Sequence, residues 1–158
     1  LEYLVEQFKA KKWYHATTAD FDTFDTTLGD MGCHFGSKDQ AIHIATNRLA
    51  YDKKPPKIIT VNLGVYNPLR LTDNGSFHAD NIADQLYKKK LIGKAQFEKY
   101  TAPKASDNRA ENNIEVKKTL LKHGYDGIVY SNKHEGNGSS IIAFNPEDIK
   151  IIKKESLD

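Results

Sequence analysis

One short segment constrains the fold more than any other part of the chain. Ile59, Val61, Leu63 and Val65 occupy every second position, and polar or small residues stand between them. Side chains of a strand point to opposite faces in turn, so strict alternation is typical of a strand with one buried face. The segment therefore predicts a long strand over residues 59–65.

The other periodic segments predict a mixture of helices and short strands. The amphipathic spacing of residues 1–12 predicts a helix, and Ser37 is a suitable N-cap for a second helix over about 38–51. Three more helices are predicted around residues 82–87, near Phe97 and over about 109–123, the last followed by Gly124 as a typical C-terminal glycine. Further strands are predicted at 13–17, 32–36, 68–71, 126–130, 139–144 and 149–151, with a turn at 132–138.

The order of these elements favours the α+β class. A helix, two short strands, a short helix and the long strand come first, followed by a helical insert of about 67–113 and three closing strands. The strands are dispersed and the helix between them is short, which argues for an antiparallel or mixed sheet and against a doubly wound parallel one. A length of 158 residues suits one domain with one hydrophobic core. We expect residues 1–158 to form that single domain.

Several classes of protein are excluded by their missing motifs. No Gly-x-Gly-x-x-Gly follows a predicted strand and no Walker loop is present, so the two commonest nucleotide-binding folds lack support. Cys33 is the sole cysteine, so neither an internal disulfide nor a zinc cluster can form. The aspartates of the segment 20–30 miss the spacing of an EF-hand, and we expect a solvated acidic loop without a metal.

Net charge and hydropathy exclude further classes of protein. A net charge of +2 is too small to indicate nucleic-acid binding by itself. No apolar run approaches the about 20 residues that a membrane span needs. Glu2 and Glu6 argue against a signal peptide at the start of the sequence. A soluble protein with no membrane partner is therefore expected.

Two segments that each contain a histidine are the candidates for a binding or catalytic site. Imidazole offers a hydrogen-bond donor and an acceptor at once, so His15, on a predicted strand beside Thr17, is suited to hold a ribose hydroxyl. The alternative is a structural histidine at a strand end. His34 lies between Gly32 and Gly36, which let a ligand approach the backbone closely, and its ring is suited to stack on a planar heterocycle. The alternative there is a turn with a partly exposed histidine.

Four short segments follow one another along the chain at residues 14–17, 32–36, 124–129 and 141–149. In this order they resemble ADP-ribosyltransferases, above all the small domains of phage polyvalent proteins and bacterial toxins. Such domains share the histidine-tyrosine-glutamate core of poly(ADP-ribose) polymerases and diphtheria toxin. The resemblance implies a split antiparallel or mixed β core with a helical insert, NAD as the substrate, and transfer of ADP-ribose to a protein or nucleic-acid acceptor. It also implies a secreted effector or a phage-delivered domain that acts in a cytoplasm.

The resemblance assigns an NAD site to the first two segments. It implies that His15 binds the ribose hydroxyls, and that the backbone amide and carbonyl of Ala16, where the family usually has glycine, hold the nicotinamide carboxamide. Thr17 would support the end of that strand. His34 stands where the family usually has the tyrosine that stacks on nicotinamide. The other residues assigned to the NAD site are Gly32, Phe35 and Ser37.

The largest departure from the family falls at the catalytic glutamate. Counting back from Phe144, that position holds Ser140, which is neither a carboxylate nor a base near neutral pH. Three interpretations stay open: the acceptor's own carboxylate assists the transfer, Glu135 from the neighbouring turn takes over, or the chain does not catalyse this reaction. The candidate catalytic residues are therefore His15, His34, Ser140 and Glu135.

The same departure leaves two alternative functions. Ser140 and Ala16 are compatible with a non-catalytic module of the fold that binds NAD or a partner protein. Two histidines without a glutamate also resemble the RNA 2′-phosphotransferases, which hold the RNA phosphate with several arginines. The chain has only Arg48, Arg70 and Arg109, scattered along its length, which weakens that alternative. The helical insert is the expected source of acceptor specificity, because insertions on a shared scaffold usually carry it.

Overall fold

The computed structural model describes residues 11–48, 53–131 and 138–157. The helix predicted over residues 1–12 falls almost wholly outside these ranges, and so does the turn that carries Glu135. The described strands are β1 (Trp13–Thr17), β2 (Cys33–Phe35), β3 (Lys57–Leu63), β4 (Pro68–Arg70), β5 (Gly127–Ser131), β6 (Ser139–Ala143) and β7 (Ile149–Ser156). The described α-helices are α1 (Lys38–Asn47), α2 (Ala79–Lys88), α3 (Lys94–Thr101) and α4 (Arg109–Lys122), with short 3-10 helices at Ala105–Asn108 and Pro146–Asp148.

The alternating segment forms β3, the central strand of a three-stranded antiparallel sheet in the order β1-β3-β7. Ile59, Val61 and Leu63 share one buried face of β3, as the alternation predicts, but Ile58 and Thr60 on the opposite face are buried as well. The predicted strand is confirmed, but it ends at Leu63. After Leu63, the backbone N–H of Gly64 donates to the backbone oxygen of Asp148, at 2.7 Å. Asp148 lies in the 3-10 helix before β7.

A second sheet has four strands in the order β2-β6-β5-β4. Its β2–β6 and β6–β5 pairs are antiparallel, whereas β4 and β5 run parallel. The two sheets meet at a single bridge, where Tyr14 and Gly36 exchange two backbone hydrogen bonds of 2.9 Å each. The core is therefore split between two mixed or antiparallel sheets, and the predicted α+β class is confirmed.

Apolar side chains fill three spaces around these sheets. The space between the sheets holds Trp13, Phe24, Cys33, Phe35, Ile59, Val61, Leu63, Val65, Ile141 and Ala143. A smaller cluster of Ala41, Ala45 and Ile58 packs α1 against the three-stranded sheet. The third and largest cluster lies between the four-stranded sheet and the helices α2 to α4. Burial of apolar surface on both sides of β2 therefore fixes the strand that carries His34.

Three helices between β4 and β5 pack on the four-stranded sheet, and each was predicted from the sequence. α2 contributes Ile82 and α4 contributes Leu120 to the cluster beneath them. After α4, Gly124 has φ +91°, a left-handed conformation that glycine adopts without strain. No helix in the described ranges is both long enough and apolar enough to cross a bilayer. The assignment of residues 1–158 to one domain, with an insert of about 67–113, stays a prediction.

Candidate functional site

A cavity opens beside the bridge between Tyr14 and Gly36, where the two sheets diverge. Its volume is about 680 Å³, within the range of about 300–1,000 Å³ that small-molecule sites occupy. Its walls come from the end of β1, the loop before β2, the start of α1, the segment before α2, and the neighbouring strands β5 and β6. The lining includes His15, Ala16, Asp30, His34, Tyr130 and Ser140.

His15 is held in one tautomer at the side of this cavity. Its Nδ1 lies 2.7 Å from the backbone oxygen of His34. A carbonyl only accepts, so Nδ1 carries the proton and donates it. The ring packs against Phe24 and Phe35, with centroids 5.2 and 5.6 Å away. Burial lowers the pKa of His15 below its usual 6.5, which the hydrogen bond to His34 only partly opposes. The neutral ring therefore keeps Nε2 unprotonated, as a hydrogen-bond acceptor.

The backbone of Ala16 faces the edge of β1 where the cavity lies. In an antiparallel pair, each residue directs its N–H and C=O to the same edge, and the edge alternates along the strand. Tyr14 uses both groups to bond Gly36. Ala16, two residues further, directs its N–H and C=O to that same edge, past the point where the chain leaves β2 for α1. The alanine methyl leaves both of these groups in place.

His34 enters the cavity from the other side of β2. It pairs in register with Ile142 of β6, so its side chain shares a sheet face with Ser140 and Tyr130. Nε2 of His34 lies 2.6 Å from Asp30 Oδ1, and Nδ1 lies 3.0 Å from the hydroxyl oxygen of Tyr130. The ring is thus clamped at both nitrogens, between a carboxylate and a phenol.

Asp30 corrects the expectation of a solvated acidic loop. Its side chain is 10% exposed, and it also accepts hydrogen bonds from the backbone N–H of Met31, at 2.8 Å, and of Phe77, at 2.7 Å. Burial by itself raises the pKa of the carboxyl, but the hydrogen bonds from His34 and the two backbone groups outweigh it and lower the pKa of Asp30 to about 2. The prediction is wrong for this residue because the loop folds back onto the segment before α2.

Ser140 is part of the lining of the cavity, where the carboxylates among the described residues are those of Asp30 and Asp73. It is 3% exposed, and its hydroxyl donates to Oε1 of the buried Gln40, at 3.2 Å. The same Oε1 accepts the backbone N–H of Ser37, at 2.8 Å, which fixes the orientation of the amide. The position of the family's glutamate is therefore occupied by a packed polar pair.

The remaining predicted site residues have structural contacts. Thr17 accepts the backbone N–H of Ala19 through Oγ1, at 3.0 Å, just after the end of β1. Ser37 caps α1, as predicted, by accepting the backbone N–H of Gln40 at 3.1 Å. A Cβ at Gly32 would collide with the carbonyl oxygen of Ala143, so the glycine allows β2 to approach β6. Gly32, Thr17 and Ser37 are outside the lining of the cavity, whereas Phe35 is part of it. Glu135 lies outside the described residues.

The arginines are divided between three places. Arg48 lines the cavity, and Arg70 lines a smaller groove beside α2. Arg109 forms a bidentate pair with Asp80, with nitrogen–oxygen distances of 3.1 and 2.7 Å. In the described ranges, no group of three or more histidine, cysteine, aspartate or glutamate side chains is arranged to hold a metal ion.

Among the cavity residues that sequence reasoning missed are Asp30, Gln40 and Tyr130. Asp30 precedes His34 by four positions, but in a loop this spacing has no fixed geometry. Gln40 is signalled by the pattern Ser37-x-x-Gln40, which is a capping box. Tyr130 is 96 positions from His34, and only the strand register reveals their contact.

Comparison with known proteins adds one family and two solved structures. A family model described as "ADP-Ribosyltransferase in polyvalent proteins" matches residues 6–158. No curated protein matches the chain. The crystal structure of the M. tuberculosis MbcT–MbcA toxin–antitoxin complex is similar with 13% identity and a TM-score of 0.46, over 99% of this chain and 93% of that one. An anti-CRISPR protein is similar with 11% identity and a TM-score of 0.37, over 93% and 95% of the two chains.

Proposed function

Since this chain belongs to the family of ADP-ribosyltransferase domains found in polyvalent proteins, we propose that it transfers ADP-ribose from NAD to a macromolecular acceptor, a protein or a nucleic acid. The observation that carries the proposal is the convergence of His15, Ala16 and His34 on one cavity. These are the positions to which the resemblance assigns NAD.

The geometry of β1 supports a role in holding the nicotinamide ribose. Nε2 of His15 accepts a ribose hydroxyl, because Nδ1 already donates to the backbone of His34. The carboxamide of nicotinamide has a carbonyl oxygen that accepts and an NH2 group that donates, and these match the N–H and C=O of Ala16. These contacts would hold the nicotinamide end of NAD beside His34, and the rest of the molecule would extend along the cavity towards α1 and the segment before α2.

Catalysis in this proposal depends mainly on positioning. Nicotinamide in NAD carries a positive charge on its ring nitrogen, and breaking the bond to the ribose cancels that charge. An enclosed site that holds the ribose and the carboxamide in a bent arrangement brings C1′ of the ribose to the acceptor. The missing glutamate at Ser140 removes one stabilising group, but it leaves these positioning contacts intact.

The direct test is incubation of the protein with NAD labelled in the nicotinamide ring. Release of labelled nicotinamide, with ADP-ribose left on an added protein or nucleic acid or on water, supports the proposal. Binding of NAD without release contradicts the transferase and supports the second candidate, a non-catalytic NAD-binding module. The burial of Ser140 against Gln40 favours that candidate.

A glutamate at position 140 separates these two candidates further. If the wild type binds NAD without turnover, a Ser140→Glu variant that gains NAD hydrolysis shows that the cavity positions NAD correctly and lacks only the carboxylate. The RNA 2′-phosphotransferase alternative is weaker, since Arg48 is the one arginine in the cavity lining while Arg70 and Arg109 lie elsewhere.

A further inference from the structure

We propose that Asp30, His34 and Tyr130 form a proton relay that serves as the base for the attacking acceptor, in place of the carboxylate missing at Ser140. This inference rests on the proposed function. It names the group that takes the acceptor's proton in the second part of the reaction, the attack on C1′ of the ribose. In this relay Tyr130 touches the acceptor, whereas His34 and Asp30 act through it.

The first link of the relay fixes where the protons of His34 lie. An ionised carboxylate has no hydrogen to give, so the 2.6 Å contact with Asp30 requires a proton on Nε2 of His34. Asp30 is held in place by the backbone N–H groups of Met31 and Phe77. The low pKa of Asp30, about 2, keeps it ionised at neutral pH. In the neutral ring the proton lies on Nε2, and Nδ1 of His34 is a hydrogen-bond acceptor.

The second link connects that nitrogen to Tyr130. The hydroxyl oxygen of Tyr130 lies 3.0 Å from Nδ1, so a neutral His34 accepts the phenolic proton. The tyrosine ring is packed on Phe77, with centroids 4.4 Å apart, and this contact holds the hydroxyl towards the histidine. A carboxylate, an imidazole and a phenol thus stand in sequence, each within hydrogen-bond distance of the next.

The third observation places the end of the relay at the site of the missing carboxylate. Tyr130 of β5 pairs directly with Ser140 of β6, so the two side chains are neighbours on one sheet face. Both residues line the cavity. His15 lacks such a chain, since its Nδ1 donates to a backbone carbonyl and its ring packs on Phe24 and Phe35.

The attack on C1′ breaks one bond, forms one bond and moves two protons. The bond between C1′ and nicotinamide breaks, and its electron pair goes to the ring nitrogen, which becomes neutral. The acceptor oxygen forms the new bond to C1′ and gives its proton to the oxygen of Tyr130, while Tyr130 gives its own proton to Nδ1 of His34. Asp30 stabilises the imidazolium that results, and His34 returns the proton to solvent after the product leaves.

A relay that removes a proton implies an acceptor atom that carries one. The relay therefore favours a hydroxyl or water as the attacking group, and a carboxylate acceptor has no need of it. The other titratable or charged groups that line the same cavity are Tyr14, His15, Arg48, Asp73 and His78.

The test compares Tyr130→Phe with Tyr100→Phe. The first variant loses the hydroxyl but keeps the ring on Phe77. The control loses a buried tyrosine hydroxyl that is hydrogen-bonded to Glu115 in the helical region, outside the lining of the cavity. Nicotinamide release from NAD, with water as the acceptor, is measured across the pH range, and NAD affinity is measured by calorimetry. We expect Tyr130→Phe to be slower by about 100-fold or more, with NAD affinity unchanged. We also expect the pH profile of kcat/KM to change in Tyr130→Phe and to stay the same in Tyr100→Phe.

Two other outcomes reject the relay in distinguishable ways. If Tyr130→Phe releases nicotinamide as fast as Tyr100→Phe, the proposed function stands and the relay fails. If the wild type neither binds nor cleaves NAD, the proposed function fails and the relay fails with it. Long-range nitrogen–proton NMR correlations of His34 in the wild type give a readout that needs no variant to fold. A neutral ring with its proton on Nε2 supports the relay, and a proton on Nδ1 overturns it.

Discussion

Two imidazoles lie on the two sides of β2 in opposite environments, His15 from β1 and His34 from β2 itself. On one side, His15 lies among Phe24 and Phe35, and within the described part of the chain its ring bonds a backbone carbonyl. Burial lowers the pKa of His15, so its ring is neutral. On the other side, His34 is held between the carboxylate of Asp30 and the hydroxyl of Tyr130. One residue type is thereby suited to two tasks. The apolar side offers a fixed acceptor for binding, and the polar side offers a group that passes protons.

The largest expected effect comes from removing the binding histidine. His15→Ala takes away the Nε2 acceptor and leaves a ribose hydroxyl without a partner, so we expect NAD binding to be abolished, a loss of about a thousandfold or more. Calorimetry with NAD measures it. His43→Ala is the matched control, because His43 is exposed on α1 and its ring contacts the side chain of Asn47 on the same helix. Unchanged affinity in the His15→Ala variant rejects the pocket assignment.

The next effect tests how β2 is held between its two sides. Gly32→Ala places a methyl group against the carbonyl oxygen of Ala143, and β2 then has to separate from β6. We expect a loss of about 3 kcal/mol in the free energy of unfolding, measured with urea. Gly93→Ala is the control, since a Cβ added there would lie 4.0 Å from its nearest non-neighbouring atom, in Gln96. We expect a loss below about 1 kcal/mol in the free energy of unfolding for this variant. Equal stability of the two variants contradicts the close approach of β2 and β6.

Acid stability sharpens the polar side of the comparison. The pKa of Asp30 falls from 3.8 to about 2 on folding, so its carboxylate stabilises the protein above about pH 4 and this contribution is lost as the pH falls through 2. The contribution is about 2 kcal/mol. In urea titrations between pH 2 and 6, Asp30→Asn should show a correspondingly weaker dependence of stability on pH. A pH dependence identical to that of the control Asp107→Asn, at an exposed position, contradicts the buried contact.

The smallest effect concerns the cap of the helix beside the cavity. Ser37→Ala removes the hydroxyl that accepts the backbone N–H of Gln40. We expect a loss of about 1 kcal/mol, seen as a fall in Tm of about 2–4 °C. Ser106→Ala, at an exposed position in a 3-10 helix, should leave Tm unchanged. A loss of more than about 2 kcal/mol in the free energy of unfolding would mean that the hydrogen-bonded pair of Gln40 and Ser140 is disrupted as well.

The apolar side of β2 was more predictable from sequence than the polar side. Alternation at Ile59, Val61 and Leu63 reveals β3, and the local pattern at Ser37 reveals the start of α1, because both signals depend on neighbours in the chain. The fold class follows from the order of such elements.

The polar side depends on contacts that no local pattern encodes. The meeting of His34 with Tyr130 depends on the register of β2, β6 and β5, and the carboxylate of Asp30 is buried by the backbone of Phe77, 47 positions away. The acidic composition around Asp30 therefore suggested a solvated loop. Gly32 was expected to let a ligand approach the backbone, and in the structure it lets β6 approach.

The most direct test of the central claim is a crystal structure of the protein soaked with NAD. We expect nicotinamide between Ala16 and His34, its carboxamide on the backbone N–H and C=O of Ala16, and a ribose hydroxyl on Nε2 of His15. NAD bound instead in the groove beside Arg70, or a cavity from which NAD is absent at saturating concentration, would contradict the account.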